Sequence, residues 1–172
     1  MSPTSSTPRG KTTTTATGMP ITTTATRTSM RTEVTGRPRR WRPLLLVRGH
    51  SMEPSLADGR VVMTLPVGGR ARRGDVVALH LGAGPRLVKR LVAGPGDIVE
   101  LESGRLRVND VELDGPRVPG AFVQTWTVPP EHWFVVGDNR SVSTDSRSWA
   151  EPFVPSSAIQ GRVLGVAPIV NR

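Results

Sequence analysis

The chain has 172 residues, no cysteine and three histidines, which excludes disulfides, thiolate nucleophiles and Cys-ligated metals. No two histidines have H-x-x-x-H spacing, so no zinc site is expected, and no metal or cofactor is assigned. Of the net charge of +9, +7 sits in residues 1–43, with eight Lys/Arg against Glu33 alone; residues 44–172 hold fifteen against thirteen acids, so no nucleic-acid partner is expected.

Residues 1–43 carry threonine runs (Thr12–Thr15 and Thr22–Thr24), scattered Arg and almost no large apolar residues. Such a segment buries too little surface to offset its ordering entropy, and a disordered basic tail is expected. Its acid-poor, Arg- and Thr-rich composition is also that of an organelle transit peptide, but no amphipathic helical period accompanies it. No run approaches the roughly 18–20 apolar residues that span a bilayer. Leu44–Val47 is the longest apolar run near the start of the domain, so no membrane anchor is expected within this chain.

From Leu44 onward the pattern is that of β structure. Short Val- and Leu-rich runs alternate with Gly, Pro, Asp and Asn. Strands are expected at Arg60–Leu65, Asp75–Leu81, Arg86–Ala93, Asp97–Glu102, Arg105–Val108, Val111–Leu113, Phe122–Val128, His132–Val136 and Gln160–Val166. Ser103-Gly104 and Asn109-Asp110 are two-residue hairpin signals. Prolines at the connections argue against long helices, and one short helix is expected near Pro155–Ile159. Residues 44–172 therefore read as one mainly β domain, a compact antiparallel sheet with a barrel-like core.

Three segments carry chemistry. In Gly49-His50-Ser51-Met52-Glu53-Pro54-Ser55-Leu56, a serine lies on a turn where its hydroxyl can be presented; a solvated turn serine is the plainer alternative. In Arg86–Asp97, strand alternation puts Leu87, Lys89, Leu91 and Ala93 on one face. A lysine held among apolar neighbours loses hydration of its ammonium, its pKa falls, and the neutral amine can act as a base. A lysine snorkelling from a sheet edge is the competing reading, and Arg90 on the other face is consistent with it. The third segment, Gly137–Arg147, is a dense polar loop able to supply hydroxyls and a carboxylate–guanidinium pair, or simply an Asx-rich surface turn. His50 adjoins Ser51, but neighbouring side chains of an extended segment point to opposite faces, so a Ser–His pair is not expected.

Taken in order, Ser-Met-x-Pro-Ser-Leu, Lys-Arg-x-x-x-x-Pro-Gly-Asp and Gly-Asp-Asn-Arg-x-x-Ser-x-Asp-Ser-Arg resemble the three signature boxes of type I signal peptidases, over about Val47 to Val163. The resemblance implies a serine endopeptidase that removes signal peptides from precursor proteins. It implies Ser51 as nucleophile and Lys89 as general base. Ser143 would orient the lysine amine, Asp145 and Arg147 would form a supporting pair, and Met52 and Pro54 would belong to the substrate groove. The Ser51 amide would be one oxyanion donor. Many members add a side-chain hydroxyl two residues earlier, where this chain has Gly49.

The resemblance further implies precursors with small residues at the first and third positions before the cut. It also implies a place at the cell membrane, with the catalytic domain on the extracytoplasmic side. The basic tail makes an anionic membrane surface a further partner. Two alternatives share Ser–Lys chemistry: a protease maturing a cytosolic precursor, and a self-cleaving repressor of the DNA-damage response. Gly74-Asp75-Val76-Val77 and Val88-Lys89-Arg90 would serve the repressor too. Residues 1–43 cannot form the helix-turn-helix domain usual in front of such repressors, and the Gly137–Arg147 box is foreign to them.

Overall fold

The computed structural model describes residues 43–67, 69–115, 117 and 123–167. The tail expected to be disordered lies outside the described residues, except for Pro43. The described chain is almost all β. A seven-stranded antiparallel sheet contains β1 (Leu44–Leu46), β2 (Val61–Leu65), β3 (Val76–His80), β4 (Arg86–Ala93), β9 (His132–Val136), β10 (Phe153–Pro155) and β11 (Ile159–Val163). Its order is β1-β2-β11-β3-β4-β9-β10. A four-stranded sheet, β7-β6-β5-β8, contains β5 (Ile98–Glu102), β6 (Arg105–Val108), β7 (Val111–Glu112) and β8 (Val123–Thr127). The expected short helix is one 3₁₀ turn at Ser156–Ala158.

The small sheet follows directly from its sequence. Ser103 and Gly104 both have positive φ, as do Asn109 and Asp110, the backbone that tight two-residue hairpins require. Val99 and Leu101 of β5 face inward with Leu106 and Val108 of β6. On the outer face Glu100 lies opposite Arg107 and Glu102 opposite Arg105, so cross-strand charges are complementary. The inward face joins Val92, Phe134 and Val136 of the large sheet in one buried cluster.

Two further clusters position the chemistry. Val77, Leu79, Leu91, Val135 and Val154 pack across β3, β4, β9 and β10. Met52 and Leu56 pack with Val47, Val62, Val76 and Val163, pinning the long β1–β2 connection onto the sheet. Burial of an apolar side chain of this size contributes roughly 1.5–3 kcal/mol, so these two residues hold the loop that carries Ser51. β4 runs in the middle of its sheet, between β3 and β9, which removes the sheet-edge alternative for Lys89.

Candidate active site

Ser51 lies in the β1–β2 connection. Val47 N–H donates to Arg60 O, and Gly59 N–H donates to Val47 O, closing the base of this loop. Gly49 has φ +84°, a left-handed backbone that a side chain disfavours, and its N–H donates to Asp58 Oδ1 at 2.8 Å. The turn itself therefore favours the residue that leaves no hydroxyl at position 49. His50 pairs with Glu53 at 2.9 Å on the exposed side, and the hydrogen bond to Glu53 raises its pKa. His132 Nδ1 lies 2.7 Å from Pro130 O.

Lys89 is 3% exposed and lies opposite Val77 of β3. Its Nζ donates to Ser143 Oγ at 2.8 Å. Ser143 Oγ donates in turn to Asp145 Oδ2 at 2.6 Å. A hydroxyl has a single proton, so Ser143 can only accept from Lys89. One amine N–H is thereby aimed at Ser143, and the nitrogen lone pair points elsewhere. Burial lowers the Lys89 pKa below its ordinary value; the Asp145 carboxylate pulls it back in part, and Arg147 adds to the lowering. Ser51 and Lys89 line one cavity of about 250 Å³, with Leu45, Leu46, Met52 and Val88 among its walls. Pro54 is exposed and does not line that cavity.

Asp145 is fully buried and saturated. It accepts from Gly137 N–H at 2.9 Å, from Ser143, and from both Nε and Nη2 of Arg147 at 2.8 Å. Burial alone would raise its pKa, but the hydrogen bonds and charge of Arg147, with Ser143 and Gly137, outweigh it and hold the carboxyl below the ordinary range. Asp145 therefore keeps Ser143 as an acceptor toward the lysine.

Two features were not legible in the sequence. Asn139 N–H donates to Ser51 O at 3.0 Å, and an added Cβ at Gly137 would collide with Ser51 O and Ser143 Oγ. Gly137 thus lets the polar loop seat directly against the serine backbone. Arg90, which alternation alone leaves as a charge tolerated on the strand, is only 2% exposed and forms a bidentate pair with Asp138 at 2.6–2.7 Å. It also donates to Gly74 O and Ala167 O. This pair locks the start of the polar loop to β4 one residue from Lys89. Its signal was an arginine inside an apolar run, where a buried charge needs a partner.

The described residues thus form a mainly β domain in which a half-buried serine and a desolvated lysine line one cavity. The family model for signal peptidase, peptidase S26, matches residues 39–167. The chain is 31% identical to signal peptidase IB of Staphylococcus aureus strain COL over 141 residues, covering 68% of this chain and 73% of that protein. It is 34% identical to signal peptidase I P of Bacillus subtilis subsp. natto over 121 residues, covering 60% and 64%. A crystal structure of a signal peptidase I from Enterococcus faecalis V583 aligns with TM-score 0.46 and 31% identity, covering 55% of this chain and 97% of that one. The chain belongs to the peptidase S26 family of signal peptidases. It is a peptide-bond hydrolase of that family, and the self-cleaving repressor alternative is not favoured.

Proposed function

We propose that Ser51 and Lys89 form the catalytic dyad of this signal peptidase. The supporting observation is a buried amine of lowered pKa, oriented by Ser143, on the wall of the cavity that Ser51 also lines. In the proposed reaction neutral Lys89 takes the Ser51 hydroxyl proton as Oγ bonds to the scissile carbonyl carbon. The Lys89 ammonium then gives that proton to the leaving amine as the C–N bond breaks. Water attacks the acyl-Ser51 ester, losing a proton to Lys89, and that proton returns to Ser51 Oγ as the new carboxylic acid departs and ionises in solvent.

The Ser51 amide is assigned to the oxyanion hole. Ser143 is assigned to orientation of the amine, and Asp145 with Arg147 to support of Ser143. Met52 is assigned to the groove wall; for Pro54 the groove assignment stands on the motif alone. Substrates are precursors with small residues at the first and third positions before the cut, consistent with a cavity of about 250 Å³ walled largely by aliphatic side chains. The site of action is a membrane surface, with the domain extracytoplasmic. Among the described residues no helix is long and apolar enough to cross a bilayer. Attachment is assigned to residues 31–48, where Trp41 follows Arg39-Arg40, with polybasic attraction screened by salt.

The test is cleavage by the full chain of a precursor with Ala at both specificity positions. Ser51→Ala and Lys89→Ala are each expected to abolish cleavage while the fold is retained. Cleavage by folded Ser51→Ala would refute the dyad.

A further inference from the structure

We propose that Arg48 and Arg86 make the substrate cavity selective for precursors with an acidic residue at the second or fourth position before the cut. The inference rests on the Ser51–Lys89 reading and deepens it, because it names a charge preference for the peptide that the cavity takes.

The cavity that Ser51 and Lys89 share has two walls. One is formed by Leu45–Arg48 with Ser51 and Met52, the other by Pro85–Lys89. Its side chains are apolar except at Arg48, Ser51, Arg86 and Lys89, and none is acidic. Lys89 is buried at one end, where β9 joins β4 from Arg90 onward. Burial decreases along β4 toward Arg86, which is exposed, as is Arg48 on the other wall. The cavity therefore combines an apolar floor with a cationic rim. Arg86 stands three residues from Lys89 along β4, about 10 Å at roughly 3.3 Å per residue. That is also the span from the residue at the cut to the fourth one before it.

Neither guanidinium is neutralised from within the domain. Among the described residues no carboxylate pairs with Arg48 or Arg86. The two carboxylates of the Ser51 loop are committed elsewhere, Glu53 to His50 and Asp58 to Gly49 N–H. The cross-strand partner of Arg86 is His80, which brings no negative charge. Residues 44–172 hold fifteen Lys/Arg against thirteen acids, so two unpartnered arginines on one cavity are a local feature and not the overspill of a basic domain. An extended peptide can supply the missing charge. With small residues at the first and third positions on the apolar floor, alternation turns the second and fourth toward the rim. A carboxylate there meets a guanidinium fork, whereas a lysine meets repulsion.

The test uses the full chain and soluble peptides without lipid. Each peptide has Ala at the first and third positions before the cut, and Gln, Glu or Lys at both the second and fourth. At low salt the Glu peptide is expected to show a kcat/KM about fivefold above the Gln peptide and the Lys peptide about fivefold below it, with the difference in KM. High salt should shrink the spread. R48Q/R86Q is expected to level the three peptides. R105Q/R107Q, which removes equal charge from the small sheet, is expected to keep the ranking. Labelled peptides titrated with Ser51→Ala should give the same ranking in Kd, without cleavage. Equal handling of the Glu and Gln peptides would overturn the proposal. So would a Glu preference that survives R48Q/R86Q or falls equally in R105Q/R107Q. Cleavage of the Gln peptide by wild type and not by Ser51→Ala, with no Glu preference, would overturn this inference alone and leave the dyad in place. Glu-selective, Arg-dependent binding to a chain that cleaves none of the peptides would retain the selectivity and remove the dyad.

Discussion

Gly137→Ala tests whether the polar loop must touch the serine backbone. The new Cβ would collide with Ser51 O and Ser143 Oγ and would lie 2.6 Å from Ser143 Cβ. Ordinary contact begins near 3.4 Å, so Ser143 Cβ must retreat about 0.8 Å and the Ser51 backbone must yield as well. Displacement on the order of 1 Å at a reacting centre costs about 10²-fold in rate. Overpacking of this kind costs about 1–3 kcal/mol of stability. Expected, therefore, is a kcat/KM about a hundredfold lower on a fluorogenic peptide with Ala at both specificity positions. Tm should fall by roughly 3–15 °C. Circular dichroism at the assay temperature separates misplacement from unfolding. A folded Gly137→Ala enzyme within threefold of wild type would refute the geometric reasoning.

Lys89→Arg is expected to lose at least about 10²-fold in kcat with its fold intact, because a guanidinium stays protonated at working pH; substantial activity would remove Lys89 from the base role. Ser143→Ala is expected to lower kcat about ten- to hundredfold with little change in KM, since the amine loses its orienting acceptor. Asp145→Ala strands a buried Arg147 and should cost about 3–5 kcal/mol, read as a fall in Tm; lost activity at unchanged Tm would contradict that division of roles. The Asp145 pKa is lower in the folded state than the ordinary 3.8, so its stabilisation is complete above that value and is lost as pH falls through the folded pKa. The Tm difference between wild type and Asp145→Ala should accordingly shrink in strong acid.

Local patterns carried much of the fold. The hairpins at Ser103-Gly104 and Asn109-Asp110, and the alternation of β4, depend on neighbours in sequence and were readable there. β1 and β10 were not expected as strands. Each has three residues, too few for a period, and β10 ends in Pro155. They exist because β2 and β9 offer edges to pair with. The motif residues Ser51, Lys89, Ser143, Asp145 and Arg147 were all named from the sequence. The contacts that organise them were not. Arg90 meets Asp138 across 48 positions, and Gly137 meets Ser51 across a fold that no local pattern specifies. Alternation marked Lys89 as a lysine among apolar neighbours, but only the sheet order puts it on a central strand.

The central proposal is that Lys89 acts as a base, its ammonium form disfavoured by burial and its amine aimed by Ser143. The chain has only two lysines, Lys11 and Lys89, so an NMR titration of ¹³Cε-labelled lysine gives two resonances, assigned with Lys11→Arg. Burial is the leading cause of the lowered Lys89 pKa, so its resonance should titrate below 10.5. Below that folded-state pKa the amine is protonated and the base is lost, so kcat/KM should rise with pH through the same midpoint. A Lys89 midpoint at or above 10.5, or a rate profile indifferent to it, would contradict the account.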